Sequence, residues 1–96
     1  MAEWRELLAV NPRDATLGVL LAVGVGSLRR EQKLEQKELS ARARVTRTIL
    51  SHVETNQGNP TLATIKKIAI ALETTEMGLL RHGQIFLGQH WKGAKK

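Results

Sequence analysis

Residues 35–54 read EQKELSARARVTRTILSHVE, and their reading decides the fold. The first part, 35–42, reads as a short helix that buries Leu39. Thr46 then stands where a helix cap belongs, ahead of a second helix running through Glu54, and in that helix Leu50 and Val53 lie three residues apart on one face. Ala43, Arg44 and Val45 join the two segments. With Leu50, Val53 and Val45 turned inward, the residues facing away from the start of the second helix are Arg47, Thr48, Ser51 and, further round, His52.

Three to four residues between two short helices is the spacing of a helix-turn-helix unit. Outward from it, 15–28 is the longest uncharged run, with Leu17, Leu21, Val25 and Leu28 recurring at helical spacing. Asp14 is expected to cap this helix, which runs to about Lys33. Val19, Leu20 and Val23 leave its first half apolar on other sides too, so something must cover it: the N-terminal segment or another subunit. A symmetric dimer is one answer. Gly18, Gly24 and Gly26 interrupt the run, and close approach of a neighbouring backbone would offset their cost in a helix. Residues 3–10 read as a short helix stopped by Asn11-Pro12, with Trp4, Leu7 and Leu8 on one face.

Downstream, 55–60 is a loop by composition. Thr61 caps a helix through Leu72 with Leu62, Ile65, Ile68, Ala69 and Leu72 inward, and Thr75 opens a further turn ending at Leu79-Leu80. From Arg81 the pattern weakens: the triplet Ile85-Phe86-Leu87 between Gly83 and Gly88 reads equally as a strand, an irregular arm or a helix end. These readings divide the chain into an N-terminal extension (1–13), a helical domain (14–80) and a C-terminal arm with a basic tail (81–96).

Ninety-six residues make one domain, and 42% hydrophobic with 25% charged residues is a globular balance. The absence of cysteine removes disulfides, thiolate metal sites and thiol nucleophiles. The formal charge of +6 makes a polyanion the first partner to consider. That charge is localised: residues 29–56 carry +3 and 81–96 carry +4, against −1 over 1–28 and 0 over 57–80. The tail lysines Lys92, Lys95 and Lys96 fit a solubilising end, a nucleic-acid arm or a non-native addition.

The run 15–28 is too short for the roughly 20 residues that span a bilayer, and the opening residues lack the form of a secretory signal. A soluble, cytoplasmic protein is expected, with no membrane partner. His52, His82 and His90 have no metal-ligand spacing, Gly24-Val25-Gly26 lacks the rest of a phosphate loop, and Ser51, His52 and Glu54 cannot face one another as a triad. The reading is therefore not an enzyme, with no metal and no cofactor. Trp4, Phe86 and Trp91 are read either as buried under the terminal segments or as part of a dimer interface.

Taken in order, Leu28-Arg29, Leu34-x-Gln36-x-Glu38-Leu39, Val45-Thr46-Arg47, Leu50-Ser51-x-Val53-Glu54, Asn59-Pro60-Thr61-Leu62, Ile68-Ala69 and Ala71-Leu72 resemble the lambda-repressor and Cro-like (xenobiotic-response-element, XRE) helix-turn-helix regulators. The resemblance covers about residues 21–80. It implies an all-α, five-helix DNA-binding domain, here with a short extra N-terminal helix and a C-terminal arm. It also implies that the helix 46–54 enters the major groove of double-stranded DNA while the preceding helix lies across the backbone. Arg47, Thr48, Ser51 and His52 would then contact bases: Arg47 offers two parallel donors to guanine, and Thr48 and Ser51 can donate or accept. Gln36 matches a position that contacts phosphate and braces the recognition helix. Arg42, Arg44, Thr46, Gln57 and Asn59 flank that helix where backbone contacts would fall.

Three departures from the pattern stand out. Arg44 and Asn56 replace usual glycines, and a non-glycine residue held left-handed costs about 1 to 2 kcal/mol, less for asparagine. Ser40 and Ala43 replace a usual alanine and leucine, which points to looser packing between the motif helices. The functional expectation is a sequence-specific transcriptional regulator, repressing as a homodimer on a palindromic operator. Two alternatives stand beside it. One is an antitoxin or restriction-modification controller of the same family, with the terminal segments binding a protein partner. The other is a protein-interaction module that does not bind DNA.

Overall fold

The computed structural model describes residues 3–91. Among them the secondary structure is entirely helical. A 3-10 helix, Trp4–Ala9, and a 3-10 turn, Pro12–Asp14, precede five α-helices: α1 (Leu17–Glu31), α2 (Gln36–Ala43), α3 (Arg47–Glu54), α4 (Leu62–Ala71) and α5 (Glu76–His90).

Threonine starts four of the five α-helices. The hydroxyls of Thr16, Thr46, Thr61 and Thr75 accept hydrogen bonds from the amides of Val19, Ile49, Thr64 and Gly78, at 3.2, 3.1, 3.1 and 2.9 Å. Each satisfies one of the donors that a helix start leaves open. The expected Asp14 cap is thus corrected to Thr16. Asp14 belongs to the turn begun by Pro12, where the Asn11 side chain accepts from the Arg13 amide. α2 starts instead with a capping box between Glu35 and Glu38.

The first four α-helices are each followed by a left-handed residue that is not glycine: Lys33, Arg44, Asn56 and Glu73, with φ of 59°, 59°, 57° and 64°. Arg44 therefore keeps the turn conformation that glycine usually supplies, with its amide donating to Ala41 O and the Val45 amide to Ser40 O. Arg44→Gly is expected to raise stability by about 1 kcal/mol, because it removes the left-handed penalty. A urea titration with an unchanged or lower midpoint would contradict this. Ser40 is buried with its hydroxyl donating to Lys37 O, so the polar substitution in the motif is satisfied locally.

Two apolar clusters hold the helices together. Leu39, Ala43, Leu50, Val53, Ile68, Ala69, Leu72 and Leu79 close one of them around Leu21 and Val25 of α1. The other lies on the opposite side of α1, where Val19, Ala22 and Val23 meet Leu7 and Leu87, with Trp4, Leu8, Leu20 and Phe86 at its edge. Val19, Leu20 and Val23 of α1 are thus covered by the chain's own N-terminal segment and α5, whereas Leu17 stays exposed and so does Leu62 of α4, which corrects its expected inward placement.

Of the strand, irregular arm and helix end that the stretch after residue 80 allowed, the structure has the helix: α5 continues without a break through 81–90, so the segment named as an arm is helical as far as His90. The cause lies in Leu79, Gly83 and Leu87, buried at intervals of four along one face. Gly83 looked like a boundary but is a contact residue. A Cβ there would run into the Leu20 carbonyl of α1, and a Cβ on Gly24 would run into the Leu79 carbonyl of α5. The two glycines let α1 and α5 cross with their backbones in contact. The tail lysines Lys92, Lys95 and Lys96 lie outside the described residues.

Candidate nucleic-acid interface

α3 has one anchored face and one free face. On the inner side Leu50 and Val53 are buried in the first cluster, and Glu54 next to Val53 is buried as well. Glu54 forms a two-pronged ion pair with Arg29 of α1: Nε to Oε2 at 2.6 Å and Nη2 to Oε1 at 3.0 Å. The remaining Arg29 arm donates to Leu34 O at 2.8 Å. Gln36, at the start of α2, donates its amide to Glu54 Oε1 at 3.3 Å. One carboxylate thus ties α1, α2 and α3 together and fixes the angle at which α3 leaves the domain.

The outer face carries Arg47, Thr48 and His52, all exposed, and the partly exposed Ser51. These four line one open recess together with Gln36, Thr55 and Gln57. The recess is about 550 Å³, its lining mixes polar and apolar surface, and Glu3, Trp4 and Arg30 also border it. Gln57 is held by its backbone amide to His52 O at 2.8 Å and by its side chain to Thr55 Oγ1 at 3.0 Å. Asn59 lies apart from this recess, in a smaller one with Ile49, His52 and Pro60. Arg42, Arg44 and Thr46 are exposed on and beside the turn, outside both. Thr46 already uses its oxygen as the α3 cap, leaving its hydroxyl proton available to an acceptor.

Three features of this region escape a reading of the motif alone. The Arg29–Glu54 pair was legible in principle, since both residues fall on apolar helix faces where a charge demands a partner. Glu54 cannot serve Ser51 and His52 as a catalytic carboxylate, because it is buried against Arg29. Ile49, half-exposed beside His52, adds an apolar contact to the outer face. The wall made by Glu3, Trp4 and Arg30 depends on the N-terminal segment folding back on α1, which no local pattern announces.

A rigidly braced helix with a free polar face, preceded by a shorter helix across a three-residue turn, defines a helix-turn-helix DNA-binding domain. The helix-turn-helix family model HTH_3, of the XRE and lambda-repressor-like type, matches residues 25–79, and the chain belongs to this family of DNA-binding regulators. No curated protein matches the chain. Among the described residues no helix is long and apolar enough to cross a membrane.

Proposed function

We propose that the chain is a transcriptional repressor that occupies a palindromic operator as a homodimer. Arg47, Thr48, Ser51 and His52 read bases in the major groove. Gln36, Arg42, Arg44, Thr46, Gln57 and Asn59 fix the register through the DNA backbone. The observation that carries this reading is the contrast between the two faces of α3: its inner face is pinned through Glu54, while its outer face offers guanidinium, hydroxyl and imidazole groups to an open recess. Donors held in fixed directions can discriminate bases at about 1 to 3 kcal/mol per bidentate contact.

The argument for a homodimer is one of binding energetics. One recognition helix buries little area, and two copies on half-sites about 34 Å apart double the contact along one side of the duplex. The Arg47→Ala, Thr48→Ala double variant tests the assignment of the base readers. Both residues are exposed, so the variant should fold normally and lose preference for the operator over mixed-sequence DNA, by at least tenfold on the scale of one bidentate contact. A folded double variant that kept full sequence preference would remove these residues from the reading surface.

A further inference from the structure

The recess beside α3 has a second wall that the helix-turn-helix motif does not provide. Trp4 is seated on α1, with its indole N–H donating to Ala22 O at 3.0 Å and its ring over Gly26, where a Cβ would collide with the indole. The Arg30 guanidinium stacks on the same ring, 4.0 Å from its centroid, and donates Nη1 to Gly26 O at 2.9 Å. Its side chain nevertheless remains 45% exposed. Arg30 borders the recess of Arg47 and Ser51 and also an adjoining one lined by Lys33, Gln36 and Arg47 at the start of α2.

The charge balance at this point is incomplete. Glu54 is engaged by both prongs of Arg29, and it lies 3.9 Å from Arg30 Nη1, beyond hydrogen-bond range. Two guanidinium groups therefore share the Glu54 carboxylate, and the outer one faces the recess, which Glu3 also borders. Burial holds the Arg30 guanidinium below its ordinary range, and the neighbouring Arg29 cation adds to this against the pull of Glu54. A cation in that position favours the arrival of an anion. Among the described residues its one hydrogen bond goes to Gly26 O, so further N–H groups of the fork remain open.

We propose that Arg30 is a DNA-backbone-contacting residue outside the motif, and that Trp4 is its positioning residue, making the N-terminal segment part of the DNA-binding surface. The stacked, hydrogen-bonded guanidinium is already held in one conformation. A phosphate therefore meets a preorganised donor and little side-chain freedom is lost on binding. This rests on the chain binding duplex DNA, but not on which bases it reads.

The test is the salt dependence of binding to a mixed-sequence duplex of about 30 base pairs, long enough for non-specific phosphate contacts. Arg30→Gln should flatten the slope of log K against log salt by about 0.9, the change for one phosphate contact, whereas Arg30→Lys should keep it. Trp4→Leu should weaken binding about threefold to tenfold in the natural background and hardly at all in the Arg30→Gln background, because its effect passes through Arg30. A merely structural Trp4 would weaken both backgrounds equally. An unchanged slope in Arg30→Gln would overturn the proposal while leaving DNA binding intact. If the natural chain itself fails to bind the duplex at low salt, the DNA-binding reading and this inference fall together.

Discussion

Glu54→Ala is expected to destabilise the domain by about 3 to 5 kcal/mol, the range for removing one partner of a buried ion pair. Glu54 is 1% exposed and Arg29 8%, so the abandoned guanidinium cannot recover its hydration by a small movement. At the sensitivity typical of domains of this size, the loss lowers the melting temperature by roughly 15 to 30 °C. Gln36 loses its acceptor in the same step, and Arg30 loses the nearest negative charge. The loss belongs to the unpaired charge rather than to the attraction of the pair. An Arg29→Met, Glu54→Leu double variant should therefore recover much of the stability. Thermal melts of the three proteins distinguish these cases. A Glu54→Ala variant that melts within a few degrees of the natural chain would show that the pair does not brace the fold.

The crossing of α1 and α5 supports the second large effect. Gly83→Ala is expected to cost about 1 to 3 kcal/mol, since its methyl group would enter the space of the Leu20 carbonyl and approach the Gly24 amide. Both obstacles are helix backbone, so relief requires the two helices to separate and reopens the cluster around Val23 and Leu87. Gly88→Ala supplies the contrast within the same helix. A Cβ at Gly88 meets nothing within 4 Å, so this change should stabilise by about 0.5 to 1 kcal/mol through helix propensity alone. Opposite shifts of the urea midpoint are the expected result. Equal shifts in one direction would contradict the close approach.

The motif helices were legible because their signals are local. Thr46 as a cap, Leu50 and Val53 at a spacing of three, and a joint of three residues all act within one or two turns, and the structure keeps each of them. The outward placement of Arg47, Thr48, Ser51 and His52 follows from the same periodicity. What was not legible depends on contacts between distant segments. Gly83 and Gly88 look alike in sequence, yet one lies under α1 and the other in open space. The residues after 80 fit a strand, an arm or a helix end alike because a glycine and an apolar triplet blur the helical period that burial against α1 makes plain. Asp14 and Thr16 are both capable caps two residues apart, and the turn set by Pro12 selects the second. Trp4 appeared only as an aromatic residue of uncertain use, and its position over Gly26 and under Arg30 brings it to the recess beside α3.

The expected dimer also changes footing. The apolar sides of α1 called for either the N-terminal segment or a partner subunit, and the N-terminal segment together with α5 fills that role within one chain. What remains is the geometric requirement of two recognition helices on neighbouring turns of the same groove.

The central claim is that the outer face of α3 reads sequence in duplex DNA. It is tested most directly by selecting binders from a random duplex pool with the purified chain at physiological salt and sequencing the enriched DNA. The account predicts a palindromic motif with half-sites about one helical turn apart. Retention of DNA with no enriched motif would leave only charge-driven, sequence-independent attraction and would contradict it.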